Sequence, residues 1–132
     1  MRIDVRTAER EQFVDITRMV ADAIAEIGVR EGAALVYCPH TTAGITVNEH
    51  ADPDVAADII GWLADTCPRG ARWRHLEGNA DAHVKATLVG SSALVPLRDG
   101  RLDLGTWQGI FFCEFDGPRS RHVDVRLLAP AD

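Results

Sequence analysis

Seven consecutive residues, Gly32-Ala-Ala-Leu-Val-Tyr-Cys38, carry no charge, and Pro39 follows them directly. The run is strand-length and has no polar face, so it reads as a buried central strand. Proline has no N–H to give to a ladder, which closes the strand at Cys38. Such a strand needs hydrogen-bonding neighbours on either side and other layers to cover it. The rest of the chain has to supply both.

Helices are readable on either side of it. From Thr17 to Ile27 the apolar residues Met19, Val20, Ala23, Ile24 and Ile27 recur at helical spacing, Asp22 and Glu26 lie opposite, and Gly28 is the stop. Asp52-Pro53 offers an N-cap and a first-turn proline for a helix to about Ala64, with Val55, Ile59, Trp62 and Leu63 inward and Cys67-Pro68 ending it. A third helix is expected from an Asn79 N-cap through Ala80, Ala82, Ala86 and Leu88 to Gly90. Arg2 to Val5 and Ile45 to Val47 read as short strands, and Phe13 to Thr17 as a lead into the first helix.

Beyond Ser91 the hydrophobic period changes to two. Ala93 to Leu97 runs into Arg98-Asp-Gly-Arg101, and Asp-Gly between two apolar runs is a strong hairpin signal. Leu102 and Leu104 alternate with charges. Trp107 to Phe115, the turn Asp116-Gly-Pro-Arg119, and His122 to Leu128 complete an expected C-terminal β-meander. Ile110, Phe111 and Phe112 make the Trp107 strand apolar on both sides, which predicts either a subunit interface or a second packed layer there. With 132 residues and no linker-like stretch, the expectation is a single domain, 1–132, of the α+β class: largely antiparallel sheets with two to three packed helices.

Composition narrows the functional classes. At 46% apolar and 26% charged the chain can build a core, which excludes disordered and fibrous classes. A formal charge of -6, with arginines scattered among acids, argues against a nucleic-acid surface. No segment is long and apolar enough to suggest a membrane span or a signal peptide, so the expected location is cytoplasmic, with small ligands or proteins as partners. Cys38, Cys67 and Cys113 lack Cys-x-x-Cys spacing and suit free thiols, with Cys38 and Cys113 packing as small hydrophobes.

Two polar clusters interrupt the apolar pattern. In His40-Thr-Thr-Ala-Gly-Ile-Thr-Val-Asn48-Glu49 a histidine and two hydroxyls leave the end of the central strand, and a second strand delivers Asn48 and Glu49. The same residues are also compatible with turn hydroxyls and a hydrogen-bonded structural histidine. In His75-Leu-Glu-Gly-Asn-Ala-Asp-Ala-His83-Val-Lys85 two imidazoles, two carboxylates, an amide and an amine share eleven residues around a helix start, where backbone N–H groups favour an anion. Asn79, His83 and Thr87 repeat every four residues on one helix face. Lys85 is the only lysine among 14 cationic side chains, which suggests a role for its compact ammonium. Arg119 and Arg121, two apart beside a turn, are candidates to hold an anionic group, with Glu114 or Asp116 orienting one of them. His40, His75 and His83 are candidate ligands for one divalent metal, zinc before magnesium because imidazole suits zinc and magnesium prefers oxygen.

No glycine-rich phosphate loop, HExxH helix or GxSxG elbow is present. The blocks His40 to Glu49, Gly78 to Lys85, Gly90-Ser91, Gly105-Thr-Trp-Gln108-Gly and Glu114 to Arg121 resemble the YjbQ family, often labelled secondary thiamine-phosphate synthase. That resemblance spans nearly the whole chain. It implies an antiparallel α+β fold, a homotrimer, and a transferase joining a pyrimidine methyl diphosphate to a thiazole phosphate with release of diphosphate. On that reading the partner is a small phosphorylated metabolite. Asn48, Asn79, Ser91, Gln108, Arg119 and Arg121 would bind it and Lys85 would act on its phosphates, while Glu49 or Glu77 would be the base of the rival zinc-dependent hydrolase. A zinc-dependent hydrolase of a phosphorylated metabolite and a non-catalytic metal- or metabolite-binding trimer are the alternatives.

Overall fold

A computed structural model describes residues 1–131. The chain order is β1 (Arg2–Arg6), β2 (Gln12–Asp15), α1 (Thr17–Ile27), β3 (Gly32–Tyr37), β4 (Ala43–Glu49), α2 (Pro53–Thr66), α3 (Ala80–Val89), β5 (Ser92–Arg98), β6 (Arg101–Leu102), β7 (Gln108–Glu114) and β8 (Ser120–Leu128). All pairings are antiparallel, in a five-stranded sheet of order β1-β8-β3-β5-β6 and a three-stranded sheet of order β2-β7-β4. The expected α+β class with three helices is what forms. Its C-terminal strands are antiparallel but divide between the sheets: β5 and β6 form the Asp99-Gly100 hairpin, β7 joins the smaller sheet, and β8 inserts between β1 and β3. Among the described residues no helix is long and apolar enough to cross a membrane.

The Gly32 run is central, as its composition requires, since β3 pairs with β5 on one side and β8 on the other. Its inward residues Ala34 and Val36 are fully buried beside Val95, Leu97, Val123 and Val125. The outward face is open instead of covered: Tyr37, Leu94 and Leu128 are 43%, 60% and 52% exposed. Burial of this strand within one chain is therefore one-sided.

The two apolar faces of β7 have a direct explanation in layering. Ile110 and Phe112 point into the core between the sheets, with Val20 and Ile24 of α1. Phe111 and Cys113, with Phe115 beyond the strand, point into a second core against Leu63 and Ile59 of α2 and Ala82, Ala86 and Val89 of α3. Alternation on a strand sends neighbours to opposite faces, so a continuous apolar run fits a sheet packed on both sides. The second packed layer, rather than a subunit interface, accounts for this run. Cys38, Cys67 and Cys113 are free and buried.

Two local expectations change. The expected helix lead-in from Phe13 is strand β2 as far as Asp15, whose carboxylate receives the Thr17 N–H at 3.0 Å. Trp62 of α2 is 62% exposed and faces outward, because Leu63 and Ile59 already fill the contact with β7. Gly44 of β4 sits where the end of α3 closes on the sheet: Ile45 N–H donates to Gly90 O at 3.0 Å, and a Cβ at Gly44 would lie 2.5 Å from that oxygen. Gly61, in the middle of α2, has open space around it. Gly44→Ala should therefore lower stability by about 1–3 kcal/mol through overpacking against backbone. Gly61→Ala should raise it by about 0.5–1 kcal/mol through helix propensity. Urea unfolding midpoints of the two variants check both signs.

Candidate functional site

The cavity that brings His40, His83 and Ser91 together lies between the β3–β4 connection and α3. It has a volume of about 380 Å³ and is lined by His40, Thr41, Ala43, His83, Ala86, Thr87, Gly90 and Ser91. Pro39 ends β3 and releases His40 and Thr41 at its rim, while His83 and Thr87 come from one face of α3, four residues apart. The seating of α3 on Gly44 sets the width of the opening. Thr87 Oγ1 donates to His83 O at 2.9 Å, so this hydroxyl is held by its own helix.

His40 is fixed from behind. Its Nε2 lies 3.1 Å from His122 N–H and 3.0 Å from His122 O, which commits that ring nitrogen to the β8 backbone in either tautomer. Burial and the nearby Arg121 charge both lower its pKa, so the ring is neutral at physiological pH. His75 does not reach the cavity. Its ring stands edge-on behind His83, centroids 5.3 Å apart, and its Nε2 is 3.6 Å from Glu77 Oε2 on the exposed side. Among the described residues no group of three or more His, Cys, Asp or Glu side chains is arranged to hold a metal ion. The three histidines, expected to converge on one metal, do not: His40 and His83 line the cavity, and His75 stands outside it against His83.

The expected cations lie elsewhere. Lys85 is 1% exposed, and its Nζ donates to Asp81 Oδ2 at 2.8 Å and to Glu11 Oε1. Asp81, 0% exposed, also receives both terminal nitrogens of Arg10 at 3.1 Å. Two cations and two carboxylates thus close a buried network between α3 and the β1–β2 connection. Arg121 is also buried, donating from Nε to Glu114 Oε1 at 2.8 Å, from Nη2 to Glu114 Oε2, and to Thr42 Oγ1 at 2.8 Å. Glu114 takes a further bond from Thr7 Oγ1 at 2.8 Å. This cluster joins β1 and β8 of one sheet to β7 and the start of β4 in the other. Lys85 and Arg121, expected at a ligand, are consumed within the fold because each is held by a buried carboxylate: Lys85 shares Asp81 with Arg10, and Arg121 is the cation on Glu114.

The remaining expected residues have local partners. Asn79 does not cap α3 with its side chain; its Nδ2 donates to Asp116 Oδ2 at 2.8 Å, and Arg119 Nη2 donates to the same oxygen at 3.0 Å. Glu114 and Asp116 do orient Arg121 and Arg119 respectively, as the sequence suggested. Asn48 Oδ1 accepts the Glu49 N–H at 2.8 Å, and Gln108 Oε1 accepts the Gly105 N–H at 2.8 Å. Glu49 Oε2 accepts the Ala51 and Asp52 N–H groups and faces a different cavity. Asp81, Glu11 and Arg10 were missed by the sequence reading. The i,i+4 spacing of Asp81 and Lys85 was the available signal for the first of them.

Charge at these positions sets a pH window. Burial opposes ionisation of Asp81 and Glu114, but hydrogen bonds from Arg10 and Lys85, and from Arg121 and Thr7, outweigh it and hold both below the usual carboxylate range. Their contribution is complete above the unfolded carboxylate pKa of about 4 and is lost as pH falls through the lower folded values. Burial likewise works against the Lys85 ammonium, and hydrogen bonds to Asp81 and Glu11 raise its pKa regardless. That contribution is complete below about pH 10 and is lost as pH rises through the folded value. Lys85→Met should cost about 3–5 kcal/mol at neutral pH by leaving Asp81 and Glu11 short of a counter-charge. It should also flatten the alkaline limb of a stability-against-pH curve measured by chemical unfolding.

Comparison with known proteins matches the same residues as a whole. The family model described as UPF0047 protein YjbQ-like matches residues 1–130. A UPF0047 protein of Methanocaldococcus jannaschii is 51% identical, covering 96% of this chain and 92% of that protein. The UPF0047 protein YugU of Bacillus subtilis is 49% identical, covering 96% of each. A crystal structure of a YjbQ/UPF0047 family protein from Clostridium acetobutylicum superposes with a TM-score of 0.95 at 51% identity, covering 97% of this chain and 99% of that one. A protein of known structure from Aeropyrum pernix superposes with a TM-score of 0.94 at 39% identity, over 98% of each chain. With the model covering all but two of its residues, the chain belongs to the YjbQ-like UPF0047 family.

Proposed function

We propose that this protein is a transferase of small phosphorylated metabolites, joining a pyrimidine methyl diphosphate to a thiazole phosphate, and that the cavity between His40 and His83 holds the reacting groups. The observation that carries this reading is the meeting of two imidazoles from separate elements with the Thr41 and Ser91 hydroxyls on one open cavity. In the reaction a ring nitrogen forms a bond to the methylene carbon, the carbon–oxygen bond breaks, and diphosphate leaves with the electron pair. Negative charge grows on the leaving oxygens, so hydrogen-bond donors must face them. Lys85 and Arg121 are held by buried carboxylates, which leaves His83, Ser91 and Thr41 as the donors. Neither bond change needs a base. Glu49 and Glu77 therefore belong to the hydrolytic alternative.

A divalent metal would neutralise diphosphate charge, but His40, His75 and His83 do not form a closed ligand set within one chain, so no step above runs through it. The edge-on pair His75 and His83 is the one observation that favours a zinc-dependent hydrolase instead. A homotrimer suits the outward face of the five-stranded sheet at β3 and β5, where Leu35 pairs with Leu94 and Ala33 with Leu128 in an apolar patch that Asp124 and Arg126 of β8 border.

Incubation of the protein with both substrates should release diphosphate and form the coupled product, and His83→Ala should lower kcat about 10²–10³-fold by removing a leaving-group donor. Tight zinc with phosphate release and no coupling would establish the hydrolase. Binding without turnover would leave a non-catalytic trimer. Light scattering should return three chains per particle, and Leu94→Glu should return one.

A further inference from the structure

A second cavity, of about 340 Å³, lies on the opposite flank of β4, between β2, the end of β4 and α2. Its floor is apolar: Phe13 and Phe111, ring centroids 5.9 Å apart, with Ile60 of α2 beside them. Its wall carries Glu9, Glu11, Asp15, Glu49, His50 and Asp52, and no Lys or Arg. Glu11 is already paired with Lys85 behind the wall, which leaves four carboxylates with no cation lining the cavity.

The imidazole of His50 is held in one orientation. His50 Nδ1 is 2.9 Å from Asp15 Oδ2, and the other oxygen of Asp15 receives the N–H and hydroxyl of Thr17 at the start of α1. Burial opposes the charge on Asp15, but the hydrogen bonds from Thr17 and His50 keep it a carboxylate below the usual range. The ring also lies over Gly109 of β7, where a Cβ would overlap it. In the neutral ring a carboxylate on Nδ1 places the proton there and leaves Nε2 as the acceptor. Glu49 has its Oε2 occupied by the Ala51 and Asp52 N–H groups, leaving Oε1 for another donor.

Around an apolar floor, then, the wall offers lone pairs and negative charge. The complementary ligand has N–H donors, positive charge and an apolar body. The acceptors are spread around the cavity rather than focused on one point, and among the described residues none form a metal-binding group. That distribution suits an extended organic cation rather than a metal ion. We propose that this cavity binds a small organic cation, an ammonium or amidinium on an aromatic or short aliphatic body. Its N–H groups meet His50 Nε2 and Glu49, and its body rests on Phe13 and Phe111, whose ring faces also attract positive charge. The site shares no residue with the His40–His83 cavity, and it stands whether or not the transferase reading holds.

The test is a titration of the isotopically labelled full chain with benzylammonium at low ionic strength, read by NMR shifts of the backbone and histidine rings. Saturable shifts are expected at His50, Glu49 and Phe111, with benzyl alcohol about tenfold weaker and benzoate without effect. Asp15→Asn should weaken binding about tenfold by releasing the imidazole. Because Asp15 also holds the start of α1, Ala56→Trp is the second variant: it fills the cavity from α2 and should abolish binding with the melting transition kept. Equal binding of benzoate, binding unchanged in Ala56→Trp, shifts centred on His83 and Ser91, or no saturable shift would each overturn the proposal.

Discussion

The pairing of Lys85 with Asp81 and Glu11 decides how α3 sits, and with it the shape of the His40–His83 cavity. Ions of one sign could not stay at 0–1% exposure on a helix face, since desolvation of an unpaired charge costs several kcal/mol. Arg10 supplies the second cation, and its two bonds to Asp81 tie the helix to the connection between β1 and β2. The result is a helix with its charges inward and its larger apolar residues outward: Leu88 is 61% exposed and Val84 37%. Small residues make this possible. Ala82 and Ala86 pack on the second core while the end of the helix closes on β4 at Gly44.

A parallel arrangement holds the two sheets together. Glu114 and Arg121 are buried where the sheets meet, and Thr7 and Thr42 complete their hydrogen bonds. The three-stranded sheet is thus covered on one side by the larger sheet and α1, and on the other by α2 and α3, while the outward face of the larger sheet is open, apolar at β3 and β5 and charged at β1 and β8. The cavity under α3 and the cavity under α2 are both products of this layering, because β4 runs between them.

Much of the fold was legible in the residues. Helix periodicity with Gly28, Asp52-Pro53 and Gly90 as punctuation located three helices, and alternation with Asp-Gly located the hairpin. Partner choice among strands was not legible: the two-sided apolar run of β7 called for packing on both faces and the alternation of β8 for packing on one, but nothing local names the strands beside them. The polar positions were recognised more easily than their roles. Lys85 and Asn79 stood out as unusual, but the carboxylates that claim them at Glu11 and Asp116 are brought close only by tertiary structure, whereas Glu114, across one turn from Arg121, was in view. The setting of His50 was not legible, because the Asp15 that holds it is 35 positions away.

The central claim is that the surface between His40 and His83 is the part of this protein that meets phosphate groups. Titration of the labelled protein with inorganic diphosphate, read residue by residue by NMR, tests it most directly. The account predicts saturable shifts at His40, Thr41, His83 and Ser91, with Lys85 and Arg121 unaffected because their charges are spent inside the fold. Shifts centred on the exposed arginines Arg98 and Arg101, with none at His83, would contradict it.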